Sequence, residues 1–244
     1  MRALALAGAL ALWGCATAQV AVPPTDVAAL QRSLNGQARF LRTSMHLTPF
    51  FGDDTRKLLT PLDPSLVRLL NDTSGKPIDP GPVEATFPAG TQARIVRVEF
   101  PTGWVMAERV LYTPRTLVWV YVELSGRSKN AAPAVLVLRP GLNSRADFEA
   151  ELERQLSRDD QAARLESFSD TVQEAVKTKR AVSDMSAEAL EMAWGFPESK
   201  RIELVESARR ETWSWGDGAR TAVLVDGRLR EFSGASGASS SSSP

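Results

Sequence analysis

Residues 185–232, MSAEALEMAWGFPESKRIELVESARRETWSWGDGARTAVLVDGRLREF, change from helical to alternating periodicity at a single point, and that change decides the class of the fold. Ser186 is an N-cap residue ahead of a helix running through Ala193 and Trp194. Gly195 can take the left-handed stop, and Pro197 prevents continuation. Strands are expected at 201–206, 211–215, 221–225 and 228–232, with Gly216-Asp217-Gly218 and Asp226-Gly227 as the turns of two hairpins. A helix followed by an antiparallel sheet makes this an α+β chain. Trp213 and Trp215, two apart in a strand, share one sheet face. They either pack against the helix or form an exposed aromatic binding patch.

Upstream, residues 86–140 form a small β-rich region. Strands are expected at 93–100, 105–112, 117–124 and 134–138, separated by Pro-Thr-Gly and Thr-Pro-Arg, and strands this short with tight turns suggest a small barrel or curled sheet. Trp104, Arg109, Tyr112, Arg115, Trp119 and Tyr121 interleave aromatics with arginines. They are either the core and rim of that sheet or a glycan-binding face, with Trp119 and Tyr121 as its candidate residues. Residues 19–85 read as a helix and loop region: Val27, Leu30, Leu34 and Ala38 recur at helical spacing, and Pro61 and Pro64 stop any long helix, leaving Ser65 to cap a short one. Residues 141–182 read as a helical connector, with Ser144 capping one helix and Leu165, Phe168, Val172 and Val176 lining a second. Residues 234–244 are a Ser-rich flexible tail.

The front of the chain has the architecture of an export signal, residues 1–18: a basic start at Met1-Arg2, an apolar run from Ala3 to Trp13, then small residues. Leu12-Trp13-Gly14-Cys15 resembles the lipobox of bacterial lipoproteins, with Trp13 where that family has a small residue. The resemblance implies diacylglycerol on the thiol of Cys15, the only cysteine, and Ala16 behind it resembles outer-membrane sorting. The alternative is cleavage after Ala16-Thr17-Ala18, giving a chain that starts at Gln19 and is free in the periplasm.

The 185–232 stretch is similar to the BamE-like (SmpA/OmlA) module over 183–233. The carriers are Gly195-x-Pro197 at the helix end, Trp213-x-Trp215-Gly216 at a strand end, and Asp226-Gly227-Arg228-Leu229 after a strand. The resemblance implies a small α/β unit of outer-membrane lipoproteins that binds or assembles other components and is not an enzyme. In the archetype the unit lies close to the lipidated cysteine, whereas here Cys15 and Ser186 are 171 positions apart. The resemblance thus implies a module and an address, not a partner. The β-rich region also resembles bacterial Src-homology-3-like modules, without a diagnostic motif.

The remaining residues argue against several chemistries. Twenty-nine basic and 29 acidic residues give zero formal charge, which speaks against a general nucleic-acid binder. With Cys15 acylated or removed, no thiol nucleophile remains. The single histidine, His46, lies between Ser44 and Asp53-Asp54, which permits a Ser-His-Asp arrangement, but no nucleophile elbow accompanies it. Gly52-Asp53-Asp54 could hold a cation, or Asp53 and Asp54 could cap a helix over 55–59. No phosphate-binding loop, dinucleotide fingerprint or HExxH occurs. No catalytic residue, metal or cofactor is expected. The expectation is an exported, lipid-anchored, non-catalytic binding module in the cell envelope that engages an envelope protein or peptidoglycan. A soluble periplasmic hydrolase or glycan-binding protein is the alternative.

Overall fold

A computed structural model of the chain describes residues 18–128 and 130–234. Cys15, the rest of the expected lipobox and the Ser-rich end from 235 lie outside the described residues. The elements in order are α1 (Pro24–Leu34), β1 (Ala38–Leu41), β2 (Met45–Phe50), β3 (Asp53–Thr60), β4 (Ala85–Phe87), β5 (Gln92–Glu99), α2 (Gly103–Glu108), β6 (Trp119–Leu124), β7 (Ala134–Val137), α3 (Arg145–Gln155), β8 (Leu156–Ser157), α4 (Ala162–Glu166), α5 (Asp170–Lys177), α6 (Ala187–Trp194), β9 (Ser199–Val205), β10 (Ala208–Trp215), β11 (Arg220–Val225) and β12 (Arg228–Ser233). They build a mixed α+β protein with two sheets.

The larger sheet has eight strands in the order β4-β2-β3-β7-β6-β5-β1-β8, antiparallel except where β3 meets β7. It is open, with β4 and β8 as its edges, so the expected small barrel does not close. The reason is that strands from 38–60, a region read as helix and loop, enter the same sheet and widen it. Residues 55–59 are strand and not a capped helix. Asp53 accepts instead from the N–H of Thr55 at 3.0 Å, a bond that closes the Phe51-Gly52 turn into β3. The expected strand over 105–112 is absent as well. Thr102 caps α2 there by accepting from the N–H of Val105 at 3.3 Å, and the run from Val105 to Tyr112 alternates too poorly to prefer an extended form. Ser65 does not cap its short helix; Asp63 does, over a single 3-10 turn at Pro64–Leu66.

Central strand β6 is buried on both faces, as a strand between two layers must be. Val118, Val120 and Val122 face a cluster made with Leu30 and Leu34 of α1 and Phe148 and Leu152 of α3. Trp119 and Tyr121 face the other way, onto Phe50, Leu58, Val67 and Val135. The smaller sheet is a meander, β12-β11-β10-β9, and α6 packs on its inner face through Leu190, Ala193 and Trp194.

The two sheets meet along the segment Thr60-Pro61-Leu62-Asp63-Pro64-Ser65-Leu66. Leu66 and Ala89 from the first half lie in the core cluster of the second, and the N–H of Ser44 donates to the carbonyl of Met192 at 2.7 Å. Gly195 (φ +82°) and Gly216 (φ +57°) allow this approach. A Cβ on Gly195 would sit 2.9 Å from Pro61 Cβ, and one on Gly216 would sit 2.7 Å from Leu66 Cδ2.

Candidate functional site

The four aromatics expected to bind are all buried: Trp213 at 1% exposure, Trp215 and Trp119 at 0%, Tyr121 at 3%. The shared face of Trp213 and Trp215 is the one that α6 covers. Trp215 donates from Nε1 to the carbonyl of Gly195 at 3.2 Å and meets Trp194 edge-on at 5.4 Å; Trp213 donates to Glu211 at 2.9 Å. Trp119 donates to the carbonyl of Pro114 at 3.0 Å, and Tyr121 Oη accepts from Arg56 at 3.2 Å. Each polar tip has found an internal partner, which is how a buried Trp or Tyr is satisfied. These residues are core, and the expected binding patch is not formed by them.

The most exposed aromatics among the described residues lie on the loop 101–116, with Phe232 on β12 less exposed. Trp104 is 74% exposed, Leu111 and Tyr112 66% each, with Val110 beside them. This loop is rigidly held from within. Arg109, buried, donates from Nε to Glu99 at 2.8 Å and from its remaining nitrogens to the carbonyls of Arg115, Leu117 and Glu99, while its guanidinium stacks 3.8 Å from the Trp119 ring. Arg115 ties back to the carbonyl of Met106 at 2.8 Å. The arginines of the supposed glycan face are therefore internal braces, and the apolar tips are what they project. Gln19 is fixed at the base of this loop: its N–H donates to Thr116 at 3.1 Å, and its carbonyl accepts from Gly141 at 2.9 Å.

Ser44, His46 and Asp53 do not assemble into a triad. Ser44 is fully buried; Oγ donates to the carbonyl of Val176 at 2.7 Å and accepts from the N–H of Ala89 at 3.0 Å. His46 Nδ1 pairs with Thr86 Oγ1 at 3.0 Å. Asp53 is committed to Thr55 and to an ion pair with Arg56, and its bonds with Thr55 and Arg56 hold its carboxyl below the usual range although burial opposes this. Among the described residues no group of three or more His, Cys, Asp or Glu could hold a metal; Gly52 belongs to the turn between β2 and β3, and Asp53 and Asp54 begin β3.

Lys179 went unnoticed in the sequence. It is the most perturbed group at the junction of the two sheets, 6% exposed, and it donates from Nζ to the carbonyls of Ser44 at 2.7 Å, Pro61 at 2.8 Å and Ala193 at 2.7 Å. Burial and the Arg220 charge push it down to about 7. The three carbonyls act the other way, because three N–H donors require the ammonium form. Burial and the Lys179 charge push His46 down to about 4. Perturbed groups in a cleft are a common mark of catalysis. Here all three protons of Lys179 are spent on backbone, so the cluster braces the junction and offers neither base nor nucleophile. The signal in the sequence was position: Lys179 follows Val172 and Val176 on the buried stripe, three residues after the last valine.

A cavity of about 660 Å³ forms a groove across β5 and β6, lined in part by Arg94, Arg97, Arg127, Tyr121 and Leu124. Arg97 stacks 3.9 Å from the Tyr121 ring, and Arg94 is ion-paired to Glu123. No family model, curated protein or solved structure matches this chain.

Proposed function

We propose that the protein is exported, anchored at the outer membrane through lipid on Cys15, and acts without catalysis as a binding or assembly module whose loop 101–116 rests on the lipid surface. The observation that carries this reading is the fixing of Gln19 at the base of the loop that bears Trp104, Leu111 and Tyr112. Four residues of extended chain reach about 14 Å, so an acylated Cys15 would hold these side chains at the headgroup level. Trp and Tyr with an apolar neighbour are suited to that interface. The lipid chains would supply the attachment, and the loop its orientation. The α6 to β12 unit would be a BamE-like module facing the periplasm, where an envelope protein or peptidoglycan is within reach.

The experiment is the intact mass of the chain recovered from membrane and soluble fractions of its host. The expected species is membrane-bound, starts at Cys15 and carries acyl mass. A soluble species starting at Gln19 refutes the anchor. The groove over β5 and β6 supports a second reading, binding of a carboxylate-bearing glycan such as peptidoglycan, since arginines line it. Retention on insoluble peptidoglycan that survives Arg97→Glu with Arg127→Glu would count against it.

A further inference from the structure

The smaller sheet ends on β9, which pairs with β10 alone and is exposed along its whole length. Exposed edges are normally blunted by proline, bulges or inward charge. This one, SKRIELV, contains no proline, and its register with β10 runs without a shift. Lys200, Ile202 and Leu204 stand opposite Trp213, Glu211 and Arg209, hence on the inner sheet face, where Ile202 is 54% and Leu204 78% exposed. Lys200 does not guard the edge. It leans back to Glu191 at 2.7 Å and lies 3.9 Å from the Trp213 ring. The two-residue turn Glu206-Ser207, at φ +49° and +72°, makes Val205 and Ala208 a hydrogen-bonded pair. By alternation the N–H and C=O groups of Lys200, Ile202 and Leu204 point to the open side.

We propose that this edge pairs antiparallel with the same edge of a second copy of the chain, centred on Ile202, and joins two four-stranded sheets into one continuous sheet. Charge selects that partner and that register. A two-fold axis at Ile202 sets Ile202 against its counterpart and Lys200 against Leu204. It also sets Arg201 against Glu203 twice, at the non-hydrogen-bonded positions where opposed side chains come closest. The adjacent registers that keep the outward backbone groups matched are centred on Arg201 or on Glu203, and each places like charges face to face. Within one chain Arg201 and Glu203 already form an ion pair at 2.6 Å on the outer face, so two copies exchange their two internal pairs for two across the interface, and charge fixes the register rather than adding ion pairs. The exposed Ile202 and Leu204 of both copies then form one apolar stripe. The proposal does not depend on the lipid anchor.

The test is sedimentation velocity of the full chain in mild detergent over a concentration series, for the wild type, Arg201→Glu, Glu203→Arg and the double exchange. Each single reversal opposes like charges at both symmetry-related sites and is expected to weaken self-association at least about tenfold. The double exchange restores it. Both sites are on the surface, so an unchanged circular dichroism spectrum certifies the fold. A chain that stays monomeric at every concentration overturns the proposal and leaves the edge to a strand of another protein. A dimer indifferent to the single reversals overturns it too. Register is read by cysteine placement in a Cys15→Ser background. Ile202→Cys is expected to crosslink between copies faster than Arg201→Cys or Glu203→Cys, since hydrogen-bonded partners stand about 5.5 Å apart at Cα, within disulfide range. Faster crosslinking at 201 or 203 refutes the register.

Discussion

Lys179→Met removes a side chain that bonds both halves of the molecule at once. Its Nζ holds the carbonyls of Ser44 just before β2, Pro61 in the connecting segment and Ala193 near the end of α6. Deleting the donor leaves these acceptors unsatisfied at roughly 1–3 kcal/mol each, so about 3–9 kcal/mol in all. Methionine keeps the stem's packing and relieves the burial of the ammonium. A fall from 10.5 to about 7 disfavours the charged form by roughly 5 kcal/mol. The middle of that range less the relief leaves a net loss of about 1 kcal/mol at neutral pH, or a melting point lower by roughly 2–4 °C for a chain of this size. The pH dependence separates the two contributions. With the folded-state value below the free one, the unfolded chain holds more protons between pH 7 and 10.5, so wild-type stability rises with pH over that window. The methionine variant lacks that slope, and its deficit should widen from pH 7 to pH 10. Urea unfolding at both pH values measures it. A variant as stable as the wild type at both pH values refutes the account of Lys179 as the brace of the junction.

Three further outcomes follow from particular contacts. His46 has a folded-state value of about 4 against 6.5 when free, so it contributes stability that is full above pH 6.5 and lost as pH falls toward 4; His46→Gln should flatten the acid limb of a stability curve there. Arg109→Leu strips one carboxylate and three carbonyls of their donor, and should cost about 3 kcal/mol and open residues 101–116 to limited proteolysis before the rest of the chain unfolds. Gly195→Ala forces a side chain into φ +82° and against Pro61, and should destabilise by about 2 kcal/mol or more in thermal melts, whereas Gly218→Ala, with nothing within 4 Å of its Cβ, should cost less.

The C-terminal unit was legible because its signals are local. Ser186 accepts from the N–H of Ala189, Gly195 takes positive φ, and Asp226-Gly227 turns one strand into the next, each within a few residues of the chain. Strand β2 lies in a region that reads as helix and loop, and the segment beyond it reads as a capped helix because Asp53 is equally suited to capping a helix and to closing a hairpin. The loop 101–116 was misread because Arg109, the residue that shapes it, bonds to Glu99 and Leu117, outside any local window. Site residues fared likewise: composition marks an aromatic as valuable without saying whether its face is covered.

By itself the sequence determined the α+β class, the presence of helices at α1, α3 and α6, the caps that start α3 and α6, and the meander β9 to β12, because caps, turns and periodicity are short-range properties of the chain. Tertiary structure decided the rest. That β1, β2 and β3 join β5, β6 and β7 in one open sheet, that Trp119, Tyr121, Trp213 and Trp215 are interior while Trp104 and Tyr112 are outside, and that Lys179 bridges three distant carbonyls all depend on which surfaces meet. Burial is a property of neighbours far apart in sequence, and the same alternating pattern serves a strand whose face is covered and one, like β9, whose face is left open.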